Sequence, residues 1–587
     1  MPQALNNFAR WSILGVLIGL VAGAGAVAFY LLLEFTTELF LVKFAEFNPP
    51  PAGEVGGWSP PDDFKLVISL LVGGFVSGAI VYSLAPEAEG HGTDAAIRAF
   101  HKAEGKIRAR IPLIKTIASA ITIGSGGSAG REGPIAQIAA GLGSLFAQVF
   151  KLSVRDRRLA LAVGIGAGVG SIFKAPLGGA ILSTEILYKR DFEVEALFPS
   201  LIASVTGYIV FCTFDGYQPV FDFPEVHIDA VQIPIFALEG VVCAAFGILY
   251  VFCFYRSQRA FTKLFERFNL PVHLKPAFGA LLTALVVIAV AKLIDPAAGY
   301  GALGMSYGFL QLAMHNLLPF EVLLVLAIVK IIATSFTIGS GGSGGVFAPG
   351  LVIGGCVGGA FGLAMHELAP SIVEIQDVPA FVAVGMIALF GGISKAPLAV
   401  LIMICEMTQN YQLLFPGMAA VAISYMLTGD ITIYSEQVAT RAESPAHRME
   451  LSVDVLENVK VRETMVPAER VITVKPENSV LEVLELIEKT GHMGFPVVSD
   501  GELVGIITFE DVERVPVEER AKTKVADVMT RNVVTVTPDE TLEDALVKLV
   551  SNNIGRLPVV SDGRLVGLIT KGDIIRAHAR EVAKLVR

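Results

Sequence analysis

Charge is scarce in this chain. Asp, Glu, Lys and Arg make up 17% of its 587 residues, where a soluble domain carries roughly 25%. A basic excess is absent altogether: 45 Lys and Arg face 55 Asp and Glu, a formal net charge of −10. The stripe of cations that a nucleic-acid binder presents is therefore missing, and no nucleic acid is expected as a partner. Cysteine is rare and solitary. Cys212, Cys243, Cys253, Cys356 and Cys405 lie singly in apolar or nearly apolar stretches, which excludes a disulfide framework and a paired metal-ligand spacing and fits small buried hydrophobes. No small-residue cleavage site closes the first hydrophobic run, so the stretch after Trp11 reads as a retained helix.

What is plentiful is apolar. Hydrophobic residues reach 53%, too many for a soluble enzyme, and they cluster. WSILGVLIGLVAGAGAVAFYLLL, FKLVISLLVGGFVSGAIVYSL and VLLVLAIVKIIATSF belong to a series of runs that continues to about Met426. Such runs supply the ~20 residues that a spanning helix needs, although many are cut by Gly or Pro. Beyond them the sequence turns dense in charge, as in VRETMVPAERVITVKPENS. The chain divides into a multi-pass membrane part and a soluble tail.

The string TIGSGGS occurs at Thr122 to Ser128 and again at Thr337 to Ser343. The match widens to IKTIASAITIGSGGSAGREGP from Ile114 and VKIIATSFTIGSGGSGGVFAP from Val329, at one offset (330 − 115, 337 − 122 and 349 − 134 all equal 215). That is an internal duplication. In hydrocarbon an irregular, glycine-rich backbone survives only where protein shields it or water reaches it. Each string is expected to break a helix at membrane depth and to aim the free N–H groups of the next helix, with about +0.5 e of partial charge, at an anion. Close helix packing by small residues is the competing explanation; it suits VGIGAGVG but leaves the repeated Thr, Ser and Pro unexplained. Duplicated halves around a midplane site are a recurrent transporter design. A second pair, FKAPLGGAILSTEI and SKAPLAVLIMICEM, places Lys-Ala-Pro-Leu at Lys174 and Lys395 and glutamates at Glu185 and Glu406. Proline at a first helical position makes both strings helix openings.

GREGP at Gly130 to Pro134, GVFAP at Gly345 to Pro349 and YSEQ from Tyr434 resemble signature segments of the CLC family of chloride channels and proton-coupled chloride exchangers. The resemblance covers essentially the whole chain. It implies an all-α polytopic membrane domain with inverted repeats and broken helices over residues 1–432, placed in the cell membrane as a homodimer whose subunits each have a pore. It also implies that Glu132 is the gating carboxylate and that the N–H groups of Val346 and Phe347 and the Tyr434 hydroxyl hold a central anion. His91, Gly92, Arg131 and Gly133 would belong to the same anion-binding segments. A carboxylate beside an anion-binding backbone is a tethered competitor for the anion, and intramembrane carboxylates are functional candidates by default. Pairing of Glu132 with Arg131, and a place for Tyr434 in an interfacial aromatic belt, are the plainer alternatives.

Two departures from the family pattern matter. Where the family has Gly-Ser-Gly-Ile-Pro, this chain has GHGTD, so His91 replaces the serine and Asp94 the proline. An imidazole N–H can donate to an anion and protonation adds charge; a structural histidine is the alternative. Where exchangers of the family have a second glutamate after the position of Glu185, this chain has Ile186, which carries no proton. The expectation is not an enzyme but a glutamate-gated pathway for chloride or a similar anion, channel-like. A proton-coupled antiporter, with Glu185 or His91 as the relay, is the second reading.

The tail repeats itself at an offset of 62 (538 − 476, 558 − 496 and 573 − 511). Each copy is expected to run strand, amphipathic helix, strand PVVSD, Asp-Gly turn, strand LVGIIT or LVGLIT, then helix. It resembles a pair of α/β CBS domains, at 461–515 and 525–587 after a linker at 433–460, and implies a cytoplasmic C-terminus. By that resemblance Thr508 and Thr570 reach phosphate, and Asp511 and Asp573 accept from the ribose of an adenine nucleotide (ATP, ADP or AMP), with no cofactor required for transport. A Thr-x-x-Asp step is equally a helix cap. CBS pairs also hang from magnesium transporters, which would need acidic clusters facing the pore; the glycine-string segments carry only Glu132.

Overall fold

Over long apolar stretches a helix is the one local fold that pairs its own peptide groups without water, and the apolar runs of the membrane part adopt it. The structure, a computed structural model, describes residues 2–447, 456–457 and 459–585, in two compact units, Met1–Ala446 and His447–Arg587. Part of the expected linker, 448–455 and 458, lies outside the described residues. The first half of the membrane unit holds α1 (Pro2–Thr37), α2 (Asp63–Leu84), α3 (Thr93–Lys102), α4 (Arg110–Gly124), α5 (Glu132–Val149), α6 (Val154–Ile172), α7 (Pro176–Glu185) and α8 (Val194–Asp215). The second holds α9 (Ile233–Arg267), α10 (Lys275–Leu293), α11 (Pro296–Tyr300), α12 (Tyr307–Met314), α13 (Phe320–Thr337), α14 (Phe347–Leu368), α15 (Val378–Ser394), α16 (Pro397–Thr408) and α17 (Leu414–Thr428). Among the described residues nine helical segments are long and apolar enough to cross a membrane. Others are too short: α3 has 10 residues and α16 has 12, well below the ~20 of a span.

The two halves meet along a reciprocal seam. Gly130 and Gly345 exchange both N–H···O bonds, at 2.8 and 2.7 Å. Ser119 bonds Ser343 and Ser128 bonds Thr334, each at 2.9 Å between hydroxyls. The offset found in the sequence relates these two bonds to each other, because 334 − 119 and 343 − 128 both equal 215. A contact in which i touches j and the copy of i touches the copy of j requires a two-fold rotation, here between halves of one chain, as in inverted-repeat transporters.

The KAPL helices obey a second reciprocity. Glu185 at the end of α7 accepts from the N–H groups of Leu398 and Ala399 at 3.3 and 2.8 Å. Glu406 near the end of α16 accepts from Leu177 and Gly178 at 3.1 and 2.8 Å. Each helix opens on proline and has its remaining free N–H groups capped by the other's glutamate.

In the tail unit, β1 (Val466–Pro467), β2 (Gly494–Ser499), β3 (Glu502–Thr508), β4 (Arg556–Ser561) and β5 (Arg564–Thr570) form one antiparallel sheet. Asp500 and Gly501, and Asp562 and Gly563, all have positive φ, the two-residue turn that matches strand twist. Both hairpins carry a bulge at the equivalent place, Val497/Val498 and Val559/Val560. The expected opening strands shrink to single parallel bridges, Val474 to Val497 and Val536 to Val559. The chain leaves the sheet there because it turns at once, Asn478 N–H bonding Lys475 O and Glu540 N–H bonding Thr537 O.

Glycine also sets how closely membrane helices approach. A Cβ on Gly385 of α15 would collide with the backbone carbonyl of Gly354 on α14, and one on Gly354 with that of Gly385. Overpacking such a contact costs about 1 to 3 kcal/mol, so Gly385→Val should lower the thermal unfolding temperature of the detergent-solubilised protein. A variant that melts with the parent would show that this approach is dispensable.

Candidate anion site

Both glycine strings end a helix and reverse the backbone in the same way. Gly126 and Gly341, again 215 apart, have φ of 105° and 94°, the left-handed region that side chains disfavour. Gly127 N–H then bonds Thr122 O, and Gly342 N–H bonds Thr337 O. From these turns the chain crosses the seam and starts α5 at Glu132 and α14 at Phe347.

A third loop joins them. Gly90 and Gly92 have φ of 71° and 86°, and Gly344 N–H bonds Gly90 O at 3.2 Å. A Cβ on Gly133 would strike His91 O and stand 2.9 Å from the Gly345 Cα, so the segments opening α3, α5 and α14 are in backbone contact. Three helix N-termini therefore converge, each with free N–H groups and partial positive charge. Tyr434, buried, lies 5.6 Å ring to ring from His91 and 6.4 Å from Phe390, which is 4.3 Å from Phe347. Tyr250 donates to Val346 O at 3.2 Å. The geometry thus gathers His91, Gly92, Gly133, Val346, Phe347 and Tyr434 at one buried place; Tyr434 is not in a surface belt.

Glu132 sits on the α14 terminus. Its Oε2 accepts from Ala348 N–H at 3.3 Å and its Oε1 from the Tyr307 hydroxyl at 2.5 Å. Arg131 points elsewhere: its guanidinium lies over the rings of Tyr30 and Tyr307, at 5.7 and 5.9 Å. Its Nε has no hydrogen-bond partner among the described residues. The described ion pairs do not include one between Arg131 and Glu132.

Sequence reasoning missed Tyr307, although a signal for it exists. In each half a buried lysine of the duplicated segment gathers the carbonyls of a loop. Lys115 donates to Ala88 O and Gly90 O at 3.0 and 2.7 Å. Lys330 donates to Ala302 O, Gly304 O and Ser306 Oγ at 3.1, 2.7 and 2.7 Å. Gly304 and Ser306 have positive φ, like Gly90 and Gly92. The loop before α12 is thus the counterpart of the His91 loop, at an offset of 214 (304 − 90 and 306 − 92), and it presents Tyr307 as the other presents Thr93.

Two cavities approach this centre. One, of about 390 Å³, is lined by His91, Asp94, Tyr255, Ser435 and charged residues such as Glu87 and Arg98. The other, of about 780 Å³, is lined by Tyr30, Arg131, Lys174, Asp215 and Tyr307. Ile186 is buried at the end of α7, and its carbonyl accepts from Gln437 Nε2 at 3.0 Å.

In the tail unit the Thr508 hydroxyl donates to Asp511 at 2.8 Å and the Thr570 hydroxyl to Asp573 at 2.6 Å. Both Thr-x-x-Asp steps are thus helix caps here. A cleft of about 500 Å³ is lined by Thr508, Asp511, Arg514, Asn532 and Arg556, among others.

Comparison with known proteins identifies the family. Residues 73–429 match the family described as voltage gated chloride channel, and 461–518 and 525–580 each match the CBS domain. The H(+)/Cl(-) exchange transporter ClcA of Salmonella typhimurium is 30% identical over 348 residues, 57% of this chain and 70% of that protein. Chloride channel protein CLC-f of Arabidopsis thaliana is 28% identical over 485 residues, 79% of this chain and 57% of that protein. The crystal structure of a slow cyanobacterial Cl-/H+ antiporter shares the fold, with a TM-score of 0.61 at 22% identity over 73% of this chain and 96% of that one. Matched across most of its membrane unit and twice in its tail, the chain belongs to the CLC family of chloride channels and transporters, with a C-terminal pair of CBS domains.

Proposed function

We propose that this protein moves chloride or a similar anion across the cell membrane, as a homodimer with a pathway in each subunit, gated by Glu132. The observation that carries the reading is the seat of Glu132: the carboxylate occupies the N-terminus of α14, held by Ala348 N–H and the Tyr307 hydroxyl. Arg131 and Tyr307 line the cavity on one side and His91 the cavity on the other. A tethered carboxylate there excludes a free anion from the same N–H groups, and protonation or displacement vacates the position. Val346, Phe347 and Tyr434 are the proposed holders of the central anion, with Gly92 and Gly133 giving backbone access. The CBS pair is proposed to be cytoplasmic and to take an adenine nucleotide at Asp511 and Asp573.

Flux measured in proteoliposomes tests the gate. Glu132→Gln should leave anion flux insensitive to pH across the range where the parent responds. Tyr307→Phe removes a donor to the ionised carboxylate, so Glu132 should take up its proton more readily and the flux profile should move to higher pH by about one to two units. An unchanged profile in both variants overturns the gate.

Channel-like conduction is the reading for coupling, because Glu185 is committed to capping α16 and Ile186 carries no titratable group. Exchange activity in relatives such as the H(+)/Cl(-) exchange transporter ClcA favours a proton-coupled antiporter as the second reading. Proton movement under a chloride gradient with voltage unclamped separates them: uphill pumping at a fixed ratio to chloride makes the protein an exchanger, and its absence leaves a conductor.

For the tail, calorimetric titration of the full chain with ATP, ADP and AMP should show saturable binding. Asp511→Ala, at a residue lining the described cleft, should weaken it about tenfold, and Asp573→Ala should weaken it as well. No heat with any nucleotide would leave the pair a structural module.

A further inference from the structure

His91 is held by one of its two ring nitrogens. Its Nε2 lies 3.3 Å from Asp94 Oδ2. Asp94 also accepts from the N–H and hydroxyl of Ser435 at 3.2 and 2.7 Å and from the N–H of Glu436 at 3.2 Å. A carboxyl with that many donors is satisfied as an anion, and a carboxylate only accepts. The proton of a neutral His91 therefore resides on Nε2, where it is donated to Asp94. The other nitrogen, Nδ1, is buried and has no hydrogen-bond partner among the described residues, on a side chain only 7% exposed. In neutral imidazole that nitrogen is a bare lone pair, which repels an anion. Once protonated it becomes an N–H carrying positive charge beside Tyr434.

We propose that His91 is a proton-dependent anion ligand: with Asp94 holding Nε2–H, Nδ1 binds the central anion only after taking up a second proton, so that anion and proton bind there together. The inference rests on the central-anion reading above. The proton arrives from the cavity that His91 and Asp94 line, and bond counting is simple: water or hydronium gives a proton to the Nδ1 lone pair, and nothing else changes hands.

Tyr434 faces the ring and Lys106 shares the cavity wall; several other charged and titratable groups around the ring are engaged. Glu436 is paired with Arg98 and Lys102. Tyr255 donates to Ile433 O, and the Lys115 ammonium holds Ala88 O and Gly90 O. Glu89 takes Lys275 and the Tyr82 hydroxyl, and Glu87 takes Arg108. Glu132 is bonded to Tyr307 and Ala348. The family's usual serine, by contrast, offers its hydroxyl hydrogen at every pH, so the exchange of serine for histidine converts a constant donor into a conditional one. Reciprocity follows, since whatever factor protonation adds to anion affinity, the anion adds to proton affinity.

The test uses the full-length protein carrying Glu132→Gln, which removes the gate's own titration. Chloride binding is measured calorimetrically between about pH 5.5 and pH 8, the range in which imidazole titrates, in two buffers of different ionisation enthalpy. Affinity should fall as pH rises, up to about tenfold per unit for one linked proton, with heats reporting uptake of up to one proton per chloride. Adding His91→Ser should keep binding and abolish both the slope and the proton uptake; Asp94→Asn, which withdraws the charge that supports the imidazolium, should move the slope to lower pH. Flat binding without proton uptake in the Glu132→Gln protein overturns the proposal, and needs no variant at position 91. A slope that persists in His91→Ser overturns it too. Absence of chloride binding at every pH in every variant, the serine form included, would instead overturn the central-anion reading and this inference with it.

Discussion

Wherever a helix stops inside a bilayer, the peptide groups it no longer pairs have no water to turn to. This chain stops helices repeatedly inside its apolar unit, and that unit is a set of answers to that one problem. Gly130 and Gly345 answer it by pairing with each other. Lys115 and Lys330 answer it by donating to loop carbonyls. Glu185 and Glu406 answer it by accepting from the first turn of the opposite KAPL helix. The openings of α3, α5 and α14 come together with free N–H groups of their own, the kind of helix N-terminus that suits an anion.

The same accounting explains why so few side chains are needed at the centre. Backbone supplies the donors, glycine lets three loops come within contact of one another, and side chains only modulate. Glu132 is bonded by the Tyr307 hydroxyl and His91 stands beside Asp94; in the proposed function the first pair competes with the anion and the second modulates its binding. The described ion pairs do not join Arg131 to Glu132; the guanidinium of Arg131 lies over two tyrosine rings instead.

Much of this was legible in the sequence where a residue type is rare in its surroundings. Glycine strings and a lone carboxylate stand out in an apolar membrane segment, so GREGP, GVFAP and the offset of 215 could be read directly. Contacts that bridge the halves could not. Tyr307 lies 175 positions from Glu132, and its loop matches the His91 loop at 214 rather than 215, so the alignment that exposes the glycine strings slips by one residue before reaching it. Glu185 and Glu406 were visible as a pair, but which N–H groups they cap depends on how α7 and α16 lie side by side. In the tail, Asp-Gly fixed both hairpins because only a few residues adopt successive positive φ angles. The opening valine runs had strand composition, yet the turns at Lys475 and Thr537 leave each only one bridge to the sheet.

The seam has a meaning for descent. Ser119 does not bond its own copy, Thr334, but Ser343, the copy of Ser128, so each half offers the surface that the other half completes. A chain of half the length carrying one TIGSGGS string could have made this contact with a second molecule of itself, provided that the two were threaded through the membrane in opposite senses. Joining two such halves in one chain would fix one orientation for each copy. The halves now differ at that seam, one carrying the His91 loop and Glu132, the other the loop whose Tyr307 bonds Glu132.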